Sequence, residues 1–406
     1  MSNDNNPEQH VQRGLKNRHI QMIALGGAIG TGLFYGSATV VKMAGPAITL
    51  SYLIGGIVIF FIMRALGEMS VDNPVSGSFS HYAYEYWGKL PGFMAGWNYW
   101  FNYVVVGMAE LSVVGTYINY WLGDVPTWIS ALVCLGIITI INLIHVKAYG
   151  EFEFWFAIIK VLAIIGMIIF GVFIIVFGVG HGGQPIGISN LWEHGGFFPK
   201  GIYDWFMSLV IVMFAFGGVE LVGITAGEAE NPKKSIPQAI NQVMWRILIF
   251  YVGAMTVILA IFPWKMLYGL AVQGNAPKIF GKLNSHGVPV PAVLASSALT
   301  LVAVLISYLD PEKVFFYFMA LATIAIIINW AIILVVQLKF RAHKAREYKG
   351  LEFKMPFYPI SSYFCLAFLA ALVVIMAFIP DMRYSLYVAP VWLVGLYICY
   401  RVKAGS

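Results

Sequence analysis

The chain has 406 residues, of which 60% are hydrophobic and only 11% are charged, and its mean hydropathy is +0.78. These values lie far outside those of soluble globular domains and indicate an integral membrane protein. The net charge of +6 does not indicate a nucleic-acid-binding protein, because the basic residues lie in short loops between apolar segments.

The chain opens with a polar stretch at residues 1–19 that lacks an apolar core and a small-residue cleavage site. Such a stretch predicts a cytoplasmic tail rather than a signal peptide. About eleven apolar segments follow, each long enough to cross a bilayer, and they predict one all-α transmembrane domain at 20–402 with a cytoplasmic end at 403–406. We number these segments in chain order, and their predicted bounds are 20–42, 46–69, 92–122, 126–146, 152–179, 201–227, 236–263, 289–309, 314–340, 359–380 and 384–402.

Segment 1 carries four glycines in the run GGAIGTGLF, from Gly26 to Phe34. Glycine in a helix interior costs about 1 kcal/mol relative to alanine, and an opened turn in hydrocarbon leaves backbone N–H and C=O groups without water. A helix broken at mid-membrane depth is tolerated where the freed groups face a ligand or a wet cavity. The run therefore predicts a substrate site, in which the half-helix after Gly32 presents its N-terminus to a carboxylate.

Ionisable groups inside apolar segments are functional candidates, because a charge at membrane depth is expensive. Arg64 and Glu68 lie one turn apart at the end of segment 2 and are interpreted as an interfacial pair. Glu110 in segment 3 is deep enough to face a cavity. The alternative interpretation is that Glu110 forms a polar pair with another helix. Lys160 in segment 5 is a candidate for proton coupling, because a buried ammonium group can lose and regain a proton. The alternative interpretation is that the Lys160 side chain extends to the membrane interface and has no role in coupling.

Segment 6 contains a second glycine break, FAFGGVE, five segments after the first. Two broken helices at matching places in successive five-helix units are typical of inverted repeats, here predicted at about 20–180 and about 201–340. Close helix packing is the alternative for either glycine cluster alone. The residues predicted to bind substrate in the two breaks are Ala28, Ile29, Gly30, Thr31, Gly32, Phe214, Ala215, Phe216, Gly217 and Gly218.

The chemistry of the two breaks predicts the class of ligand. Opened carbonyls near Ala28 and Phe216 suit an ammonium group, and a molecule that carries both an ammonium and a carboxylate is an amino acid. The Phe216 ring lies in the break itself and is expected to close over the substrate. Glu220 directly follows the break, and it is expected either to take part in proton coupling or to brace the broken ends.

The distribution of basic residues predicts that a crossing is missing. The positive-inside rule places the N-terminus in the cytoplasm and agrees with the first seven segments, but strict counting puts the most basic loop, from Lys339 to Lys354, outside. One more crossing between Trp264 and Val288 would restore the count, although this stretch has too short an apolar core for a normal spanning helix. We therefore predict that a membrane segment is absent after Trp264. The alternative is a strained or re-entrant crossing at 266–281.

Four blocks of the sequence carry a resemblance to a known family: GGAIGTGLFYGSA, MRALGEMSV, EFEFWFAIIKV and FGGVELVGITAGEAENPKKSIPQA. They resemble the amino acid permease family of the amino acid–polyamine–organocation superfamily. The resemblance implies a LeuT-like fold of two inverted five-helix repeats plus two further helices, here at about 359–402, and uptake of amino acids driven by protons. It also implies twelve helices, with an extracellular loop before the eighth, whereas Lys265 to Phe280 resembles the stretch that follows that helix.

The resemblance also assigns roles to two ionisable residues. Lys160 resembles a built-in cation near segment 1. Glu110 lies in the sequence MAEL, which occurs in family members that carry aromatic amino acids, and it is predicted to contact the substrate.

We therefore expect a multi-pass inner-membrane carrier, not an enzyme, that imports an amino acid with a proton, leaning to aromatic amino acids or histidine. The alternatives are an amino acid exchanger, a permease for proline or another neutral amino acid, and a variant that does not transport because a helix is missing. The expected partners are the amino acid, the proton and membrane lipid, with no cofactor, metal or nucleic acid. Little or no transport is expected from the chain as written.

Overall fold

The structure is a computed structural model that describes residues 29–75, 77–123, 125–144, 146–224, 231–262, 301–309, 313–344 and 353–405. The described residues form helices joined by turns and loops, including a loop at 178–200. The α-helices are α1 (Ser37–Ala44), α2 (Ile48–Asp72), α3 (Ser78–Tyr86), α4 (Lys89–Leu122), α5 (Thr127–Ile144), α6 (Val146–Phe177), α7 (Gly201–Ala215), α8 (Leu221–Ile224), α9 (Pro232–Asn241), α10 (Val243–Ile247), α11 (Ala254–Ile261), α12 (Leu301–Leu309), α13 (Val314–His343), α14 (Ile360–Phe378), α15 (Pro380–Arg383) and α16 (Ser385–Gly405).

The helices follow the predicted apolar segments closely, because long apolar runs form helices that satisfy their own backbone groups. A π-helical turn at Gly32–Gly36 leads into α1, and a second one at Leu248–Gly253 joins α10 to α11. Within the described ranges, six helices or continuous helical runs are long and apolar enough to cross a membrane by length and composition. The short helix α3 was not predicted, because its sequence SFSHYAYEY has few apolar residues.

Helices α1 and α2 pack against α7 in the core. The Trp205 indole N–H donates to the Ala47 carbonyl over 3.2 Å, and the hydroxyl oxygens of Ser51 and Ser208 lie 3.4 Å apart. All four residues are buried. Small side chains allow these helices to approach closely, which is the usual basis of helix association in membranes. This packing brings the helical run that follows the first predicted break beside α7, which ends at the second.

One end of the helix bundle carries two ion pairs between helices. Helices α2 and α13 end on the same side, where Glu68 pairs with Arg341 and Asp72 pairs with Lys344. We call this the inner end, and its assignment to the cytoplasm is a prediction from the positive-inside rule. The opposite, outer end includes Gly45, whose backbone approaches Pro199 so closely that a Cβ atom would lie 2.3 Å from the proline ring.

The position of α13 bears on the predicted missing crossing. The start of the most basic loop lies at the inner end, beside the end of α2, although counting the predicted segments placed this loop outside. Helix α11 ends at the outer end, where Asn190 donates to the Ala260 carbonyl over 2.8 Å. The last turn of α12 also lies there, with the Tyr308 and Trp128 rings 6.5 Å apart. The predicted deletion after Trp264 and the alternative crossing at 266–281 both fall outside the described residues.

Candidate functional site

The two predicted breaks lie in direct backbone contact. A Cβ atom on Gly32 would lie 2.4 Å from the Cα atom of Ala215, so only glycine fits at this point of the first break. A Cβ atom on Gly217 would lie 3.0 Å from the Ile326 side chain of α13. The structure thus brings together the two glycine clusters, which are separated by about 180 residues in the sequence.

Helix α7 ends at Ala215, and the chain turns through Phe216 to Glu220 before α8 begins. Tight turn bonds replace helical ones, since the Gly217 N–H donates to the Phe214 carbonyl over 3.0 Å, and Gly218 takes a φ of +96° that favours glycine. The Ala215 carbonyl accepts a hydrogen bond of 3.0 Å from the Tyr251 hydroxyl. A side chain from the following helices therefore satisfies a carbonyl that the break releases.

Phe216 is fully buried in an aromatic cluster. Its ring centroid lies 4.9 Å from that of Tyr251 and 5.9 Å from that of Tyr52, and its edge contacts α2 at Gly55. In this structure the ring packs against α2. Closure of the Phe216 ring over a substrate stays a prediction, and it requires the ring to leave this cluster.

Glu110 of α4 reaches the first break. Its carboxylate accepts a hydrogen bond from the Thr31 backbone N–H and is attracted by the charge of Lys160 on α6. One of its oxygens lies 2.9 Å from the position that a Cβ atom on Gly30 would take. Glu110 is surrounded by protein atoms, yet its side chain is accessible to solvent, so it borders open space. Two residues predicted separately, Glu110 and Lys160, thus interact electrostatically beside the first break.

Glu220 lies apart from that pair. It is fully buried between α4 and α13, where its carboxylate faces the Tyr99 hydroxyl and the Trp330 indole N–H. One turn or less away, the Asn98 amide donates to the Asn329 side chain over 2.8 Å and to the Ala325 carbonyl over 2.9 Å. The second break is therefore followed by a buried polar region that links the first and the second repeat.

The remaining predicted residues take varied positions. Ile29 and Phe214 are buried, and the Phe214 ring meets Phe315 edge-on at 6.3 Å between centroids. Ala28 lies outside the described residues. Sequence reasoning missed Tyr52 and Tyr251, which hold the second break, because a tyrosine within an apolar segment is typical of packing and of interface belts.

The residues around the two predicted breaks carry several kinds of polar group. Their polar groups are backbone amides and carbonyls, two carboxylates and one lysine. Among the described residues, no group of three or more histidine, cysteine or acidic side chains is arranged to hold a metal ion.

Comparison with known proteins gives a consistent result along the whole chain. The family model described as amino acid permease matches residues 19–266 and 265–405. The chain is 48% identical to the aromatic amino acid transport protein AroP of Escherichia coli K12 over 443 aligned positions, which cover 97% of this chain and 96% of the relative. It is 47% identical to the amino acid permease YtnA of Bacillus subtilis 168, with 98% and 96% covered.

A solved structure shares the fold. The manganese transporter of Eremococcus coleocola superimposes with a TM-score of 0.53 at 13% identity, covering 99% of this chain and 96% of that one. The likeness shows an all-helical carrier fold and nothing about substrate. The matching family and these relatives are transporters and not enzymes.

Proposed function

The chain belongs to the amino acid permease family, and from this premise we propose that it binds an aromatic amino acid between its two broken helices and serves proton-coupled import. The observation that carries the proposal is the backbone contact of the two breaks at Gly32 and Ala215. Directly beside this contact, the Thr31 N–H donates a hydrogen bond to the carboxylate of Glu110. A helix start favours the carboxylate of an amino acid, and released carbonyls favour its ammonium group.

The preference for aromatic amino acids is supported by the relatives. Several proteins named as aromatic amino acid transport proteins are 47–48% identical to this chain over nearly its whole length. Histidine belongs to the same proposed range, since it is also a planar ring. Proline or another neutral amino acid is the runner-up substrate.

Two residues are the candidates for proton coupling, and they lie in different places. Lys160 acts on Glu110 at the first break, whereas Glu220 is buried between α4 and α13 after the second. A proton that binds at either place changes the charge beside one of the two repeats. Alternating access requires the repeats to move against each other, so both positions suit a coupling group.

We also propose that the chain as written transports little. About 49 of the 443 positions aligned with the E. coli relative have no residue in this chain, because 97% of 406 residues is about 394. The family model matches in two pieces that meet at residues 265–266. Both observations support the absence of a segment after Trp264. If that segment forms one wall of the cavity, the carrier cannot close the cavity alternately toward each side of the membrane, and transport fails.

Proteoliposomes provide the test. The chain as written is compared with a restored chain, in which the segment of the E. coli relative that has no counterpart here is inserted after Trp264. Both are expected to bind labelled L-phenylalanine, and only the restored chain is expected to accumulate it under an imposed proton gradient. Robust uptake by the chain as written would refute the transport deficit. Uptake that requires an amino acid inside the proteoliposomes and does not depend on the proton gradient would favour the alternative that the protein is an amino acid exchanger.

The coupling group is identified in the restored chain. Lys160→Gln and Glu220→Gln are tested for gradient-driven accumulation and for exchange of labelled against unlabelled phenylalanine. The variant that removes the coupling group is expected to lose accumulation and to retain exchange. Glu193→Gln, in an exposed loop at the outer end, is the control and should change neither.

A further inference from the structure

The start of the helix after the first break is capped by a carboxylate from another helix and not by its own N-cap side chain. Thr31 occupies the N-cap position of the helical run that starts at Gly32 and continues through α1 to Ala44. Its side chain makes no hydrogen bond to the backbone N–H groups of that run. The start of a helix carries unpaired N–H groups and a positive partial charge, which attract anions. The anion at this end is the carboxylate of Glu110, which comes from α4 and accepts the Thr31 N–H.

The carboxylate of Glu110 lies against the backbone at Gly30. Among the described residues, the Glu110 oxygen is the neighbouring atom that lies within 4 Å of the position of a Cβ atom on Gly30, at 2.9 Å. Glycine at position 30 thus leaves room for the carboxylate.

The carboxylate of Glu110 is also free to move away from the Thr31 N–H. Its residue is exposed, so packing does not lock the side chain in one rotamer. The positive charge of Lys160 acts on the carboxylate from α6 and offers it an alternative interaction. Because two carboxylates repel each other at close range, the substrate carboxylate and Glu110 cannot share the same N–H groups while both are charged.

We propose that Glu110 is an internal placeholder, whose carboxylate occupies the anion position at the first break until the carboxylate of the amino acid displaces it. This inference rests on the proposed function and adds a role for Glu110 within that site. Displacement makes binding weaker than it would be at an empty helix end, and it couples the arrival of the substrate to movement of a side chain on α4.

Equilibrium binding to the purified full chain tests the proposal. The ligands are L-phenylalanine, 3-phenylpropionate, which lacks the ammonium group, and phenethylamine, which lacks the carboxylate. Glu110→Gln removes the competing charge and is expected to raise the affinity for phenylalanine and 3-phenylpropionate by roughly three- to thirtyfold, with no gain for phenethylamine. Glu193→Gln is the matched control and should bind all three ligands as the unaltered chain does.

A second variant keeps the test decisive if Glu110→Gln does not fold. Glu110→Asp keeps the charge but is one carbon shorter, so it should release the Thr31 N–H and raise phenylalanine affinity in the same direction. Unchanged affinity in a folded variant would overturn the placeholder role. Loss of affinity for phenylalanine and phenethylamine together would also overturn it, because Glu110 would then bind the substrate ammonium. If folded protein without any substitution binds none of the three ligands, the proposed function itself fails.

Discussion

Gly32 is the residue on which the geometry of the site depends most. Its missing side chain allows the two breaks to touch, since a Cβ atom would lie 2.4 Å from the Ala215 Cα and 2.9 Å from its Cβ. A backbone atom cannot rotate away as a flexible side chain can. Any larger residue at position 32 must therefore separate the first break from the second.

We predict that Gly32→Ala lowers the affinity for phenylalanine at least tenfold. Overpacking of this kind costs about 1–3 kcal/mol, and here the cost falls on the contact that shapes the site. Isothermal titration of the purified protein measures the effect. Gly166→Ala on α6 is the control, because a Cβ atom there meets nothing within 4 Å. Equal binding by both variants would contradict the assignment of the site to the touching breaks.

At the same scale, the sequence predicted the glycine breaks but not the side chains that complete them. Glycine clusters in an apolar run are visible because they oppose helix formation. The Tyr251 hydrogen bond to the Ala215 carbonyl joins positions 36 residues apart and leaves no local pattern. The contact of Glu110 with Thr31 is equally non-local, so the sequence could identify Glu110 as a candidate but not the group that it binds.

At the scale of helices, the inner ends of α2 and α13 are joined by a buried group that we call the inner clasp: Glu68, Gln337, Arg341 and Met355. Glu68 is fully buried and accepts from the Arg341 guanidinium at 2.8 Å, from the Gln337 amide at 3.2 Å and from the Met355 backbone N–H at 3.0 Å. A buried carboxylate needs such a set of donors to offset its desolvation. The clasp fastens the chain before α14 to α2.

The inner clasp corrects an interpretation of the sequence. The spacing of Arg64 and Glu68, one turn apart, predicts a pair, but Glu68 pairs with Arg341, which is 273 residues away. Arg64 instead donates to Asn241 over 2.8 Å and lies 3.8 Å from the centre of the Phe353 ring. Spacing along one helix cannot show a partner on another helix, and a buried acid takes the donor that tertiary packing supplies.

We predict that Glu68→Gln destabilises the protein by about 3–5 kcal/mol, because it removes the charge of one partner from a buried ion pair. Thermal unfolding in detergent, followed by tryptophan fluorescence, should show a lower transition temperature. Asp72→Asn is the control, because its more exposed pair with Lys344 is worth about 0–1 kcal/mol. A double variant, Glu68→Gln with Arg341→Met, should regain most of the loss. Equal transitions in Glu68→Gln and Asp72→Asn would contradict this account.

For the whole molecule, topology is the feature that the sequence predicted least well. Segment counting works only when every crossing is recognised, and one unrecognised crossing reverses everything after it. Tertiary contacts do not have this weakness, and the contacts between α2 and α13 place the start of the most basic loop at the inner end. Composition and the glycine breaks sufficed to predict the fold class, but the path of the chain after Trp264 did not follow from them.

We predict that the end of α13 faces the cytoplasm. In a chain whose three cysteines, Cys134, Cys365 and Cys399, are replaced, His343→Cys should resist an impermeant thiol reagent in intact cells and react after the cells are made permeable. Lys200→Cys at the outer end should react in both conditions. Labelling of His343→Cys in intact cells would mean that the second half of the molecule inserts in the opposite direction.

Binding of amino acids by the purified, folded chain tests the central claim most directly, since that claim concerns the site formed by the two breaks and not transport. We expect saturable binding of labelled L-phenylalanine that tryptophan and tyrosine displace, that proline and lysine do not, and that Gly32→Ala weakens. A folded chain that binds none of these amino acids, or that binds proline in preference to phenylalanine, would contradict the account.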